Sequence, residues 1–255
     1  MWEYGGYAGK FLRLDMTNKK YSSVALTKEM ARHFLGGNGF GAKILYDEVK
    51  PSIDPLGPDN KFVFAAGPIQ GTVVPTAGRS GVFTKSPITG YFFDAYGGGS
   101  FGPEMKYAGW DAIIVEGQAR TPTYVTVFDD VVEFKDASHI WGKGTFETQE
   151  ILKKELAEPK VQIACIGPAG EKLVRIACTI WGARAAGRGG NGAVLGSKKL
   201  KAIAVRGTND IEVPDIEEFR KVISDQYARI KANPGTGKAL PTLGTPGVTT
   251  TNNQL

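Results

Sequence analysis

Cysteine and histidine are scarce in this sequence, whose 255 residues include two of each. Cys165 and Cys178 lie in separate apolar runs and form no Cys-x-x-Cys pair. This excludes a disulfide framework and an iron–sulfur or zinc site within the chain. No stretch approaches the ~20 apolar residues of a membrane-spanning helix. The chain opens without the basic and then apolar segment that directs secretion, so we expect no membrane span and a cytoplasmic location.

Charge of one sign is not concentrated anywhere along the chain. Lysine and arginine total 31 and aspartate and glutamate 26, a net charge of +5, and no five like charges are consecutive. Without zinc-finger or RNA-recognition motifs, this argues against nucleic acid as a partner. Glycine, by contrast, is in excess, with 34 residues where about 18 would be usual. A small anionic ligand is the better interpretation of a few well-placed cations.

Two stretches of the chain, at about 9–118 and 119–208, repeat one order of elements. Each has a β-hairpin, a glycine turn with a helix, a buried strand ending in Gly-Pro, a glycine-rich loop and a last buried strand. The Gly-Pro strands are Phe62–Pro68 and Val161–Pro168, and the last strands are Ala112–Gly117 and Ala202–Gly207. We therefore predict an α+β fold of two mostly antiparallel β-sheets related by a pseudo-two-fold, an internal duplication, with flanking helices. Further strands are predicted at 81–86, 90–94 and 173–179.

The repeated order of elements ends at Gly207, and a different sequence pattern follows. Asp215 precedes an amphipathic pattern with Ile216, Phe219, Ile223 and Ile230 at helical spacing, which predicts a capped helix. Residues 233–255 contain 4 Gly, 3 Pro and 6 Thr and little to bury, as in a disordered tail or the truncated start of a further domain. The predicted organisation is a ligand-binding base domain at 1–210 and a helix with the start of the next domain at 211–255.

Two glycine-rich segments carry the arginines best placed to bind an anion. The first runs from Thr76–Ser80 to Ala95–Gly102, and the second is Arg184–Gly196. Glycine lets backbone N–H groups converge on an anion, and the guanidinium fork matches phosphate or carboxylate oxygens. Neither segment fits the Rossmann or P-loop pattern, and such loops often do no more than turn the chain. No spacing supports a catalytic triad, so no catalytic residue is assigned in this chain.

A run of motifs between Gly9 and Gly207 resembles the N-terminal domain of the tungsten-dependent aldehyde ferredoxin oxidoreductase family. They include GKFLRLDMTNKK, FLGGNGFGAKILYDEV, PTAGR, GGGSFGPEMKYAGWDAIIVEG, IGPAGEKLVRIA and RAAGRGGNGAVLGSKKLKAIAVRG. They follow the family's order and cover about four fifths of the chain. The resemblance implies that the two sheets form the base for a tungsten (or molybdenum) bis-pterin cofactor with an associated magnesium ion.

The same resemblance implies roles for particular residues. Arg79 matches an arginine that lies between the pterin and the iron–sulfur cluster in the family. The family's Asn-Ser-Gly-Gly loop, which contacts pterin phosphate and magnesium, corresponds here to Tyr96, Gly97, Gly98 and Gly99. Tyr96 departs from the asparagine, so the expected magnesium contacts are the backbone carbonyls of Tyr96 and Ala185. The RAAGRGG segment implies pterin-phosphate contacts from Arg184, Ala185, Gly187 and Arg188.

Family members are roughly twice as long or more, and their later domains carry the ligands of a [4Fe–4S] cluster and the residues at the substrate. The resemblance therefore implies part of an enzyme that oxidises aldehydes to carboxylic acids with ferredoxin as electron acceptor. We expect this chain alone to be inactive and to hold no cofactor, and a homodimer is among the expected assemblies. Two alternatives stay open. One is a relative that reduces aromatic thioesters or acts on phosphorylated aldehydes, and the other is a non-catalytic module that binds a phosphorylated ligand or a partner subunit.

Overall fold

Two six-stranded sheets dominate the computed structural model, which describes residues 5–253. The chain falls into two compact units, Met1–Thr72 with Ala77–Glu212 and Val73–Thr76 with Val213–Leu255. Both sheets belong to the first unit. The strands of the first sheet are β1 (Lys10–Asp15), β2 (Lys20–Ala25), β3 (Phe62–Ala65), β4 (Ser80–Lys85), β5 (Phe92–Gly97) and β6 (Ala112–Glu116). Those of the second are β7 (Thr123–Phe128), β8 (Val131–Asp136), β9 (Gln162–Cys165), β10 (Thr179–Trp181), β11 (Arg184–Ala186) and β12 (Leu200–Arg206).

Strand order is the same in both sheets. The first runs β2-β1-β6-β3-β4-β5 and the second β8-β7-β12-β9-β10-β11. The parallel pair is β1–β6 in the first sheet and β7–β12 in the second, and the other described neighbours are antiparallel. Identical connectivity and strand direction in two consecutive stretches is the result that an internal duplication produces. The predicted α+β fold with two mostly antiparallel sheets is confirmed.

The helices of the first unit follow from local sequence signals. They are α1 (Lys28–Phe34), α2 (Asn38–Glu48), α3 (Phe101–Tyr107), α4 (Thr145–Leu156), the single turn α5 (Pro168–Glu171) and α6 (Asn191–Ser197). Thr27 caps α1, where its hydroxyl accepts a hydrogen bond from the Met30 N–H at 3.1 Å. Helix α2 buries Phe40, Ile44 and Leu45, the face that its apolar spacing predicts.

Three apolar clusters define the layers of this unit. The central cluster joins both sheets and includes Phe64 and Ile113 from the first and Val125 and Ile203 from the second. Residues of α3 and α6 belong to this cluster as well. A second cluster packs α1 and α2 on the other face of the first sheet, and a third packs α4 on the other face of the second sheet. The two sheets therefore face each other across a shared core, and helices cover their outer faces.

A buried lysine links the two halves of this unit. Lys198, between α6 and β12, is fully buried, and its ammonium group donates hydrogen bonds to three backbone carbonyls of the first half. The acceptors are Asn60 at 2.5 Å, Gly117 at 3.0 Å and Pro58 at 3.3 Å. Burial lowers the pKa of Lys198 to about 7. Burial thus disfavours the charged form, and the three carbonyl dipoles offset part of the lost hydration.

The second unit consists of helical segments. Helix α7 (Ile216–Ala232) begins at the predicted N-cap, because the Asp215 carboxylate accepts a hydrogen bond from the Glu218 N–H at 2.9 Å. For residues 233–255 a disordered tail or the start of a further domain was expected. Within the described residues, this segment forms short turns: a π-helical turn at Gly235–Ala239, α8 (Leu240–Leu243), a 3-10 turn at Thr245–Val248 and α9 (Thr249–Asn253). None of the described helices is long and apolar enough to cross a membrane.

Two strand predictions were wrong in their extent. The predicted strand at 173–179 is a loop up to Cys178, and β10 begins at Thr179. The N–H groups of Leu173, Val174 and Ala177 bond to carbonyls three to five residues earlier in the chain, so they are not available to a neighbouring strand. The strand predicted at 90–94 lies at Phe92–Gly97 instead. Tyr96 and Gly97 are consequently strand residues rather than loop residues.

Candidate functional site

The two glycine-rich segments meet where the sheets end. Strands β5 and β11 are edge strands of their sheets, and they contact each other. A Cβ atom at Gly99 would lie 3.4 Å from Cγ of Arg184, and a Cβ atom at Gly78 would lie 3.5 Å from the carbonyl oxygen of Gly99. The segment that ends in Arg79, the loop after β5 and the start of β11 therefore form one cluster, although they are distant in sequence.

The three arginines expected at this site are exposed and carry unpaired charges. Within residues 5–253, the guanidinium groups of Arg79, Arg184 and Arg188 have neither an ion pair nor a hydrogen bond to another side chain. Arg13 and Arg206, by contrast, are less exposed, and both bind glutamate carboxylates. An exposed guanidinium without a protein carboxylate can bind an anionic ligand without first breaking an ion pair.

A buried asparagine shapes the loop between β11 and α6. Asn191 is fully buried, and its Nδ2 donates to the carbonyls of Ala186 at 2.7 Å and Arg188 at 2.8 Å. Its Oδ1 accepts from the backbone N–H and the hydroxyl of Thr179, at 2.9 and 2.6 Å. The carboxamide thus makes four hydrogen bonds, which join Ala186 of β11, Arg188 of the loop and Thr179 of β10. Asn191 was not among the predicted site residues, although a short polar side chain directly after Gly189-Gly190 at a helix start is a signal for such a role.

The side chain of Tyr96 is held by its neighbours. Asn38 Nδ2 donates to the Tyr96 hydroxyl at 2.8 Å and to the Asp94 carboxylate at 3.0 Å. Partial burial and the Asp94 carboxylate raise the pKa of Tyr96, so the phenol stays protonated at neutral pH. With the phenol bound in this way, the backbone carbonyl is the group of Tyr96 that remains for a ligand. Tyr96 and Ala185, the two residues expected to contact magnesium, lie in β5 and β11, the edge strands that contact each other.

The cluster has space and polar groups for an additional molecule. A Cβ atom at Gly98 would find no other atom within 4 Å, so the loop surface is open there. Beside α3, the carboxamide of Gln70 and the hydroxyl of Ser80 are buried without a hydrogen-bonding partner among the described residues. Both lie against Gly102, where a Cβ atom would be 2.5 Å from Gln70 Nε2 and 2.7 Å from Ser80 Cβ. Buried polar groups without a partner are rare and indicate a missing water or ligand group.

The donor set suits a phosphate-bearing group with magnesium. Guanidinium groups and glycine N–H groups bind phosphate oxygens, and magnesium prefers oxygen ligands such as backbone carbonyls. The part of the chain that the structure describes contains no group of three His, Cys, Asp or Glu side chains that could hold a metal ion. The residues present therefore fit a phosphate-bearing group, and the oxygen ligands they offer a magnesium ion are backbone carbonyls.

Comparison with known proteins finds one matching family model and several similar oxidoreductases. A family model described as "Aldehyde ferredoxin oxidoreductase, N-terminal domain" matches residues 11–207. The "Tungsten-containing aldehyde ferredoxin oxidoreductase" of Pyrococcus abyssi (strain GE5 / Orsay) is 50% identical over 241 residues, which are 94% of this chain and 40% of that protein. The "Aliphatic sulfonate oxidoreductase, WOR-like subunit" of Pyrococcus furiosus (strain ATCC 43587 / DSM 3638 / JCM 8422 / Vc1) is 34% identical and is matched over 88% of this chain and 38% of its own length.

A solved structure shows the same fold. It is the "Active site complex BamBC of Benzoyl Coenzyme A reductase in complex with 1,5 Dienoyl-CoA", which superposes with a TM-score of 0.88 at 43% sequence identity. The match covers 89% of this chain and 35% of that chain. The chain thus spans about 40% of the length of the first curated relatives it matches. The family model alone covers more than half of the sequence, and the chain therefore belongs to the aldehyde ferredoxin oxidoreductase family.

Proposed function

We propose that the first unit of this chain is the base of a tungsten (or molybdenum) bis-pterin site in a longer oxidoreductase. The observation that carries this proposal is the convergence of Gly78–Arg79, Gly97–Gly99 and Arg184 at the contact between the two edge strands. Tungsten-containing relatives with 50% identity support the identity of the metal. Two exposed glycine loops with unpaired guanidinium groups suit a ligand that carries two phosphate groups.

In this proposal the chain binds and orients the cofactor. Arg184 and Arg188 would hold the pterin phosphates, together with backbone groups of Gly187 and of Gly97–Gly99, and Arg79 would contact the pterin. The carbonyl oxygens of Tyr96 and Ala185 bind magnesium. When bound, the metal–pterin group supplies the two-electron redox chemistry. No residue of this chain is assigned a bond-making role.

The reaction we propose is the oxidation of an aldehyde with water to a carboxylic acid, which releases two electrons and two protons. Ferredoxin would accept the electrons through a [4Fe–4S] cluster whose ligands lie outside this chain. The 50% identity to the tungsten-containing aldehyde enzymes, against 34% to the sulfonate oxidoreductase, favours an aldehyde. The similarity to a benzoyl-CoA reductase structure supports thioester reduction as the second candidate. The expected homodimer and cytoplasmic location stay predictions.

Magnesium pyrophosphate is the simplest probe of the proposed phosphate site. We expect the chain to bind it in calorimetric titrations, and Arg184→Gln to weaken binding about tenfold, because one charge-assisted hydrogen-bonded contact contributes ~1.5 kcal/mol or more. Arg32→Gln is the matched control, since Arg32 is also exposed but lies in α1. No binding by the unsubstituted chain, or an equal loss in both variants, would contradict the proposal.

The cofactor itself is tested in the longest natural form of the protein. Metal analysis should find tungsten or molybdenum together with about four irons per chain, as one [4Fe–4S] cluster requires. Pyrophosphate binding by this chain without either metal in the longer form would favour the non-catalytic phosphate-binding module instead.

A further inference from the structure

Each half of the first unit holds the glycine loop of the other half. In the first contact, Trp181 of β10 donates its indole N–H to the carbonyl of Gly98 at 2.7 Å. The same ring packs under the neighbouring glycine, because a Cβ atom at Gly97 would lie 2.3 Å from a carbon of the indole. Trp181 is buried in the central core, with 2% of its surface exposed. A residue of the second half thus fixes the loop that follows β5.

The second contact runs in the opposite direction. Ser86, directly after β4, donates its hydroxyl hydrogen to the carbonyl of Gly189 at 2.8 Å. The Phe93 ring of β5 packs against the same residue, where a Cβ atom would lie 2.3 Å from the ring. Gly189 has a φ of +66°, which also favours glycine. A residue of the first half thus fixes the loop that follows β11.

The two contacts have the same construction. In each, an aromatic ring packs against a glycine of the other half, Gly97 at the end of β5 or Gly189 in the loop after β11, and a buried side-chain donor bonds to a loop carbonyl of that half. Packing of the core would explain the aromatic rings but not the polar donors. A polar hydrogen is buried at little cost only where it meets an acceptor, so the two donors indicate that the loop carbonyls are held in place. Bonds that cross between the halves restrain the separation of the two loops, which contacts within one loop cannot do.

We propose that Trp181 and Ser86 are positioning residues that set the separation of the two glycine loops for a ligand with two phosphate groups. We call the Trp181–Gly98 and Ser86–Gly189 hydrogen bonds the reciprocal brace. Preorganised loops bind more tightly because less conformational freedom is lost on binding. The inference rests on the proposed function for its ligand, but the brace itself can be tested without one.

Trp181→Phe keeps an aromatic ring and removes the indole donor. Its matched control is Trp110→Phe, since Trp110 is also 2% exposed and donates its indole N–H to a backbone carbonyl, that of Asp129, at 3.1 Å. For Ser86→Ala the control is Ser197→Ala, which removes a buried hydroxyl bonded to the Val194 carbonyl at 2.8 Å. We expect similar stability losses for the two tryptophan variants. Ser86→Ala should lose more stability than Ser197→Ala, because the Ser86 hydroxyl also accepts hydrogen bonds from the N–H groups of Ile88 at 3.1 Å and Thr89 at 3.3 Å. The dissociation constant for magnesium pyrophosphate should rise about three- to tenfold in Trp181→Phe and Ser86→Ala alone, the effect of one net hydrogen bond.

Backbone hydrogen exchange tests the brace independently of any ligand. Trp181→Phe should speed exchange in residues 97–100, in the other half of the unit, and Ser86→Ala should speed it in residues 187–190, whereas neither control should affect these segments. Exchange that rises only beside the substituted residue would overturn the brace. Equal affinity losses in Trp181→Phe and Trp110→Phe would overturn the positioning role. If the unsubstituted chain does not bind pyrophosphate, the proposed function fails, and hydrogen exchange alone then decides whether the brace exists.

Discussion

Replacing Asn191 with alanine should distinguish the effect of the conformation of residues 187–190, the proposed phosphate-binding loop, from an effect on general stability. The carboxamide makes four hydrogen bonds in a fully buried position, two to Thr179 and one each to the carbonyls of Ala186 and Arg188. At ~1 kcal/mol net for each bond, Asn191→Ala should lower the free energy of unfolding by about 4 kcal/mol. A domain of ordinary stability, with about 5–15 kcal/mol, would stay mostly folded. The loop at 187–190 would lose the side chain that orients the Arg188 carbonyl and ties the loop to the Ala186 carbonyl at the end of β11.

Asn60 offers a matched control for this substitution. It is also fully buried and makes four hydrogen-bonded contacts. The two Nδ2 hydrogens are shared among the carbonyls of Pro55 and Lys85 and the hydroxyl of Thr84, and Oδ1 accepts from the Lys85 N–H. Asn60→Ala should therefore cost a similar free energy of unfolding, measured by urea denaturation. Only Asn191→Ala should also weaken magnesium pyrophosphate binding, by about tenfold or more, in calorimetric titrations below the unfolding transition.

Two results would refute this reasoning. Equal affinities for pyrophosphate in Asn191→Ala and Asn60→Ala would show that the loop conformation does not depend on Asn191 or does not matter for binding. A stability loss below about 1 kcal/mol for Asn191→Ala would show that the loop and β10 satisfy their own polar groups when the carboxamide is removed.

Four further substitutions test other parts of the structure. Burial lowers the pKa of Lys198 to about 7 from 10.5. Between these pH values the unfolded chain binds more protons than the folded chain. Lys198 therefore makes the free energy of unfolding rise with pH, by up to about 1.4 kcal/mol per pH unit. Lys198→Met should remove that slope in urea denaturation between pH 7 and 10, and parallel pH curves for both proteins would contradict it. Gly97→Ala should lower stability by about 1–3 kcal/mol because its methyl group overlaps Trp181. Gly98→Ala should leave the denaturation midpoint nearly unchanged, because its methyl group would have no other atom within 4 Å. Gln70→Met removes buried polar atoms without a partner, so the unfolding free energy should stay equal or rise by up to about 1 kcal/mol, and a clear loss would reveal a bound water.

Local sequence signals predicted most elements of the fold. The N-caps Thr27 and Asp215 mark the starts of α1 and α7 as expected, since a capping side chain acts within three residues of itself. The repeated order of elements predicted the duplication that the two identical strand orders confirm. The strand predicted at 173–179 was wrong because its apolar run resembles a buried strand, whereas its N–H groups bond within the loop. Periodicity does not show where a segment's hydrogen bonds go.

For the candidate site, the sequence by itself determined which residue types are available: two glycine-rich segments, three arginines and the motifs of a family. Only the tertiary structure decided that these segments meet, because the contact depends on edge strands of two different sheets. It also decided the roles of Asn191, Trp181 and Ser86. The Trp181–Gly98 and Ser86–Gly189 bonds join residues 83 and 103 positions apart. Such bonds follow from how two sheets pack across a shared core, and no local pattern of residues encodes that packing.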